Sequence, residues 1–141
     1  VAAARRWIGT PVRHRGRTLG IEVDCVGLVL MAGLEAGVLG EVTPSLPVAS
    51  GYGLLPNPRS MRQALEAHMI RVAVPRDGDV GFFDITGRGN PIHLGIFASL
   101  RDRQTIIHAD AGNRRHCVVE IGFSTLWSAR LDSAWRYPGL A

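Results

Sequence analysis

A chain of 141 residues, 46% hydrophobic and 20% charged, suits one globular domain, 1–141, with a real core, and excludes a disordered chain. No apolar stretch approaches the ~20 residues of a membrane span, and the opening "VAAARRWIG" lacks the apolar region of a signal peptide. The net charge of +4 rests on 16 basic residues, all arginine and scattered in ones and twos, so no basic stripe with interleaved aromatics points to nucleic acid.

In chain order, residues 2–8, "AAARRWI", read as a short helix stopped by Gly9 and Pro11. Residues 12–22 are polar, arginine-rich and irregular. Asp24 is then a good N-cap, with Cys25 in the first turn of the next helix. Val26, Val29, Leu30 and Leu34 recur at helical spacing, and Leu28 and Met31 lie off that face. That helix is apolar nearly all round and is predicted to be buried, with Gly37 as its stop. From Gly40 to Pro58 the pattern gives way to prolines and glycines, a loop long enough to suggest a function. Ser60 and Gln63 fit an S-x-x-Q capping box, opening a helix to about Met69 with Met61, Leu65 and His68 on one face. The second half reads as strands at 79–85, 92–98, 104–109, 116–121 and 133–137. Helices first and strands later, without βαβ alternation, predict an α+β fold with an antiparallel sheet.

Cys25 follows an acid and opens an otherwise apolar run. A buried cysteine is most often a small hydrophobe. A nucleophilic one must ionise, and a free thiol has a pKa of ~8.5. At a helix N-terminus the unpaired N–H groups and the dipole favour the thiolate, and the same N–H groups can hold an oxyanion. Such a thiol still needs a base within reach. The five histidines are His14, His68, His93, His108 and His116. If "PIHLGIFASLRDRQTIIHAD" is a hairpin centred on Leu100 and Arg101, His93 and His108 face each other directly, on one side of the sheet. One can act as base while the other orients it and fixes its tautomer. His68 reads as packing or surface. Asp24 is first an N-cap and second a substrate contact. His116 beside Cys117 lacks any C-x-x-C or H-E-x-x-H spacing, so neither metal nor other cofactor is expected. Cys25 and Cys117 make no disulfide framework and fit two free thiols, with Cys117 a structural residue on a strand.

"DCVGLVL", "GDVGFF", "HLGIF" and "IHA", in that order, resemble the motifs of the NlpC-type papain-like cell-wall peptidases. "ARRWIGTPVRHRG" and "DSAWRYPG" resemble the opening and closing segments of the group carried by tailed phages and gene-transfer particles. The resemblance implies a circularly permuted papain-like fold, with the helix that carries the cysteine packed on an antiparallel sheet. It implies hydrolysis of peptidoglycan stem peptides, with Cys25 as nucleophile, His93 as general base and His108 as the orienting residue. It further implies a tail-tip component that is made in the bacterial cytoplasm and opens the wall of a target cell beside other tail-tip or hub proteins. The alternatives are a hub protein that keeps the fold for assembly, and an amidase or acyltransferase on the same fold. Two positions depart from the motifs. Val12 stands where Tyr is frequent, and Val26 where Ser or Ala is, which removes groups that hold a stem-peptide amine. His14 offers a polar group instead, so Asp24 and His14 are the candidate substrate contacts.

Overall fold

The computed structural model describes residues 1–39, 57–112 and 115–141. The helix α1 (Ala2–Arg5) is shorter than the sequence suggests. Trp7 and Ile8 continue it only through bonds to the carbonyls three residues back, and Gly9 then turns with φ 88°. The segment read as irregular forms a small hairpin, β1 (Arg17–Thr18) with β2 (Glu22–Val23). Its strands are two residues long, too short for an alternation to be read.

The helix α2 (Cys25–Glu35) begins where expected. The Asp24 side chain accepts from the Gly27 N–H at 2.7 Å, satisfying one of the donors a helix start leaves open. At the other end Gly37 adopts φ 67°. Val38 N–H bonds the Gly33 carbonyl and Gly37 N–H that of Leu34, which is the Schellman arrangement. Val26, Leu28, Val29 and Ala32 are buried, whereas Leu34 is exposed, so burial is less complete than the uniform apolarity implies.

The loop predicted from Gly40 lies outside the described residues as far as 56. Its last residue, Pro58, instead opens α3 (Pro58–His68), capped by Asn57 through Arg59 and Ser60 N–H. The S-x-x-Q pattern therefore sits inside the first turn and does not precede it. Proline suits a first helical position, because its missing N–H would have had no intrahelical partner. Met61 and Leu65 are buried, and His68 is half-buried beside them.

A six-stranded antiparallel sheet follows, in the order β3-β8-β4-β5-β6-β7. Its strands are β3 (Ile70–Val72), β4 (Val80–Phe83), β5 (His93–Leu100), β6 (Arg103–Ala109), β7 (Val118–Gly122) and β8 (Leu131–Arg136). A short helix, α4 (Thr125–Arg130), joins β7 to β8. The sequence reading missed β3 and α4. Both are short and carry mixed residues, so neither offers a periodic signal. No helix among the described residues is long and apolar enough to cross a membrane.

The sheet has a core on each face. One unites α1, α2 and α3 with Val80, Phe82, Leu94, Ile96, Ile107 and Trp135. The other is Phe83, Phe97, Ile106 and Ala134, covered by Phe123, Trp127 and Leu131. Tyr137, just after β8, reaches into the helical side, where its hydroxyl donates to the Val29 carbonyl at 2.7 Å.

The glycines of the helix–hairpin junction set how closely these parts approach. A Cβ on Gly27 would lie 2.4 Å from the Gly16 carbonyl oxygen and 2.7 Å from the Arg17 Nη1. Gly27→Ala gains roughly 0.8–1 kcal/mol of helix propensity. The hairpin must move to admit the methyl, and overpacking costs about 1–3 kcal/mol. A net loss of stability is therefore expected, measured as a lower urea midpoint at unchanged slope. An unchanged or raised midpoint would show that the hairpin yields freely.

Candidate active site

Cys25 is the first residue of α2 and half-buried, and its thiol is free, as is that of Cys117. The sulfur lies within reach of three backbone N–H groups: its own, that of Val26, and that of Leu94 on β5. Burial pushes the thiol up to about 11, which the three N–H groups only partly oppose. The contact with Leu94 sets Cys25 against the start of β5, one residue from His93.

His93 and His108 are brought together, though not by the expected pairing. Arg101 and Asp102 hold φ of 50° and 61°, so the two-residue turn is centred on them, one position later than predicted. Gly95, not His93, is the register partner of His108. A two-residue offset leaves the side-chain parity unchanged, so both imidazoles stay on one face as a diagonal pair. His93 Nε2 lies 3.0 Å from His108 Nδ1, with ring centroids 5.1 Å apart at 87°. Gly95 explains the spacing of "HLG". A Cβ there would meet the His108 Cβ at 3.4 Å and Ile106 Cγ1 at 3.3 Å, crowding the ring that must lean toward His93.

By alternation the two rings lie on the side of Phe97 and Ile106, whereas α2 packs on the other. The thiol and the histidines therefore approach the start of β5 from its two faces. Burial, with a smaller contribution from His108, drives His93 down to about 3. Burial also lowers His108, while the Asp110 carboxylate acts in the opposite sense on both. Both rings are therefore neutral near pH 7.

Asp24 and His14 also converge beside Cys25. The Asp24 carboxylate takes the Gly27 N–H through one oxygen and the Arg15 N–H, at 2.7 Å, through the other. Arg17 Nη1 stands 3.7 Å from it and His14 Nδ1 3.9 Å. Asp24 is thus mainly a structural anchor that fixes residues 14–17 over the start of α2, and His14 is exposed at its rim. His68 lines an apolar pocket between α2 and α3. His116 is exposed, at φ 45°. Cys117 makes only an isolated bridge to Pro11, so the strand begins one residue later than expected for it. Among the described residues, no three His, Cys, Asp or Glu side chains group as a metal site.

Two neighbours of the histidines escaped the sequence reading. Asp110 lies two residues beyond His108, so the alternation that placed the histidines could have found it. Trp127 of α4 has its ring 4.8 Å from His108 and 6.1 Å from His93, centroid to centroid. No local pattern marks it, because α4 itself had no readable period.

The depressed histidines make stability depend on pH. Below pH 6.5 an unfolded His93 binds a proton that the folded ring refuses until about 3. The stabilisation is therefore complete above 6.5 and is lost as pH falls through this window. By linkage the loss from His93 is about 2 kcal/mol at pH 5, less whatever water reaches the half-buried ring, and His108 adds to it in the same direction. Urea midpoints should fall between pH 7 and pH 5. They should fall distinctly less in His93→Asn; an equal fall would assign the effect to other groups.

No family model matches the sequence, and no curated protein is significantly similar to it. Among solved structures the chain is similar to the NlpC/p60 domain of the peptidoglycan hydrolase SagA. The TM-score is 0.53 at 24% identity, over 95% of this chain and 92% of that one. The fold is that of NlpC/p60 domains, papain-like, with helices packed on an antiparallel sheet.

Proposed function

We propose that the protein is a cysteine peptidase that hydrolyses peptidoglycan stem peptides. The observation that carries this reading is the convergence at the start of β5. A thiol at a helix N-terminus meets the strand that opens with a histidine, and that histidine is hydrogen-bonded to a second one. Cys25 is the nucleophile, His93 the base through Nδ1, and His108 the group that orients His93 through Nε2. Burial disfavours both separate charges, so the resting pair is a neutral thiol and a neutral imidazole. The proton passes to His93 as sulfur attacks the peptide carbon, while negative charge moves onto the carbonyl oxygen. The N–H groups at the start of α2 are suited to hold that oxygen. His93 then returns the proton to the leaving amine, and water hydrolyses the thioester. Asp24 and His14, at the rim, are the proposed substrate contacts. The reaction is proposed to need no cofactor.

The resemblance of the opening and closing segments supports a setting for this activity in the tail tip of a phage or phage-like particle. There it would act on the wall of the target cell, beside other tail-tip or hub proteins. The test of the chemistry is digestion of purified peptidoglycan, with mass analysis of the released muropeptides. New amino and carboxyl termini within stem peptides support the reading, and an intact polymer rejects it. The test of the setting is a particle that carries Cys25→Ala. It should assemble and adsorb but fail at delivery, most visibly into cells with a thick or highly crosslinked wall. Normal delivery would leave the fold as an assembly element.

A further inference from the structure

Trp127 closes the histidine pair on the face away from α2. Its ring is tilted 59° to His108 at 4.8 Å and 47° to His93 at 6.1 Å, and stands edge-on to the fully buried Phe83 at 5.0 Å. No residue of α4 is fully buried, and Trp127 is the one that ties this helix to the second core. The helix is held at its C-terminal end, where Arg130 donates to the Ile85 carbonyl and its own carbonyl accepts from Asp84 N–H.

The tautomers follow from the ring geometry and the peptidase reading, on which this inference rests. His93 Nε2 faces His108 Nδ1. For His93 to accept a proton at Nδ1, its own proton must sit on Nε2 and be donated to His108. His108 Nδ1 must then be bare, with its proton on Nε2. A doubly protonated His108 has no lone pair to offer, and it would turn the bond into a repulsion. The arrangement therefore works only while His108 stays neutral.

What surrounds His108 does not favour neutrality by charge. Asp110, on the continuation of its own strand, favours the cation. His93 faces it from β5, and its register partner on β7 is the uncharged Val119. The neighbouring Glu120 is engaged by Arg5 and Thr105, and Arg130 of α4 turns to Ile85. What opposes the proton is exclusion of water, and on the face away from α2 the ring that lies against His108 is Trp127. We propose that Trp127 is a positioning residue: by covering His108 it keeps that ring an acceptor toward His93, and so leaves His93 Nδ1 available to the thiol.

The experiment follows the His108 ring signals by NMR between pH 4 and 8, in the unmodified chain, Trp127→Ala and Trp127→Phe. The pH profile of kcat/KM for muropeptide release is measured on the same three proteins. Trp127→Ala should raise the His108 midpoint toward the ordinary histidine value of about 6.5. Trp127→Phe should raise it by less. The acid limb of kcat/KM should move with it. In Trp127→Ala the loss should be up to about tenfold at pH 5.5, where a ring of ordinary midpoint is mostly protonated, and distinctly smaller at pH 8, a split that mere loosening of the fold does not produce. An unmoved midpoint in the folded variants overturns the proposal. So does a lowered one, which would mean that the indole face stabilises the cation. Should Trp127→Ala fail to fold, the phenylalanine variant decides by the same criterion. The titration does not depend on turnover, so an unmodified chain that digests no peptidoglycan would reject the peptidase reading and still leave Trp127 decided.

Discussion

Cys25→Ala is expected to abolish peptidoglycan digestion while the folded state persists. The loss should be at least about 10⁴-fold, because without the sulfur there is no covalent route, and the helix N–H groups alone give only residual acceleration. Stability should change by less than about 1 kcal/mol, since a small, half-buried side chain at a helix end leaves little cavity. His93→Ala should be nearly as severe, because nucleophile and base act as one unit. His108 separates orientation from bulk. His108→Ala should lose about 100-fold, within the range of general-base contributions. His108→Asn should retain more, since an amide oxygen can take the place of Nδ1 as acceptor for His93 Nε2–H. Alkylation should block activity through Cys25, and Cys117→Ser should remain active. The kinetics of muropeptide release, with thermal unfolding of each variant, check the series. Equal losses for His108→Ala and His108→Asn would mean that the ring acts by more than accepting one hydrogen bond.

The placement of the candidate site residues was more legible than the scaffold around them. Asp24, Cys25 and Gly37 could be read because capping and helix termination are local, settled within one turn. The side shared by His93 and His108 could be read because strand parity survives any even shift. The register could not. It depended on Arg101 and Asp102 entering the left-handed region, which Asn-Gly would have announced and these residues do not. The hairpin at 17–23 was missed for a related reason. Its strands are fixed by tertiary contact, Gly16 and Arg17 lying on Gly27 and Val12 bridging Val23, more than by their own propensity. Trp127 lies beyond local reading altogether, since its role exists only once α4 folds back over β5 and β6.

Arg136→Ala should be among the most destabilising single changes in the chain, and more so than the loss of its partner. Asp79, in "GDVGFF", is fully buried. Its carboxylate accepts from Arg136 Nε at 2.8 Å and Nη2 at 2.7 Å, and from Arg76 N–H at 2.9 Å. The Arg136 side chain, in "SAWRYPG", keeps 23% of its surface exposed. The two ends of the pair thus differ in what they leave behind. Without Arg136, a buried carboxylate retains one backbone N–H and no counter-charge, a situation that costs about 3–5 kcal/mol. Without Asp79, the guanidinium can turn into water, and the loss is nearer the roughly 1.5–3 kcal/mol of hydrogen bonds to a charged group. The double variant should be less destabilised than the sum, because removing both leaves no buried charge. For a domain of this size Arg136→Ala corresponds to a fall in Tm of roughly 10–15 °C. Activity should fall with it at elevated temperature. The pair joins β8 to the turn before β4, and β4 pairs directly with the strand that opens on His93. Urea denaturation of the two single variants and the double variant tests the asymmetry. Asp79→Ala equal to or worse than Arg136→Ala would show that the carboxylate matters chiefly for the turn it shares with Arg76, and not for the charge it holds beneath the sheet.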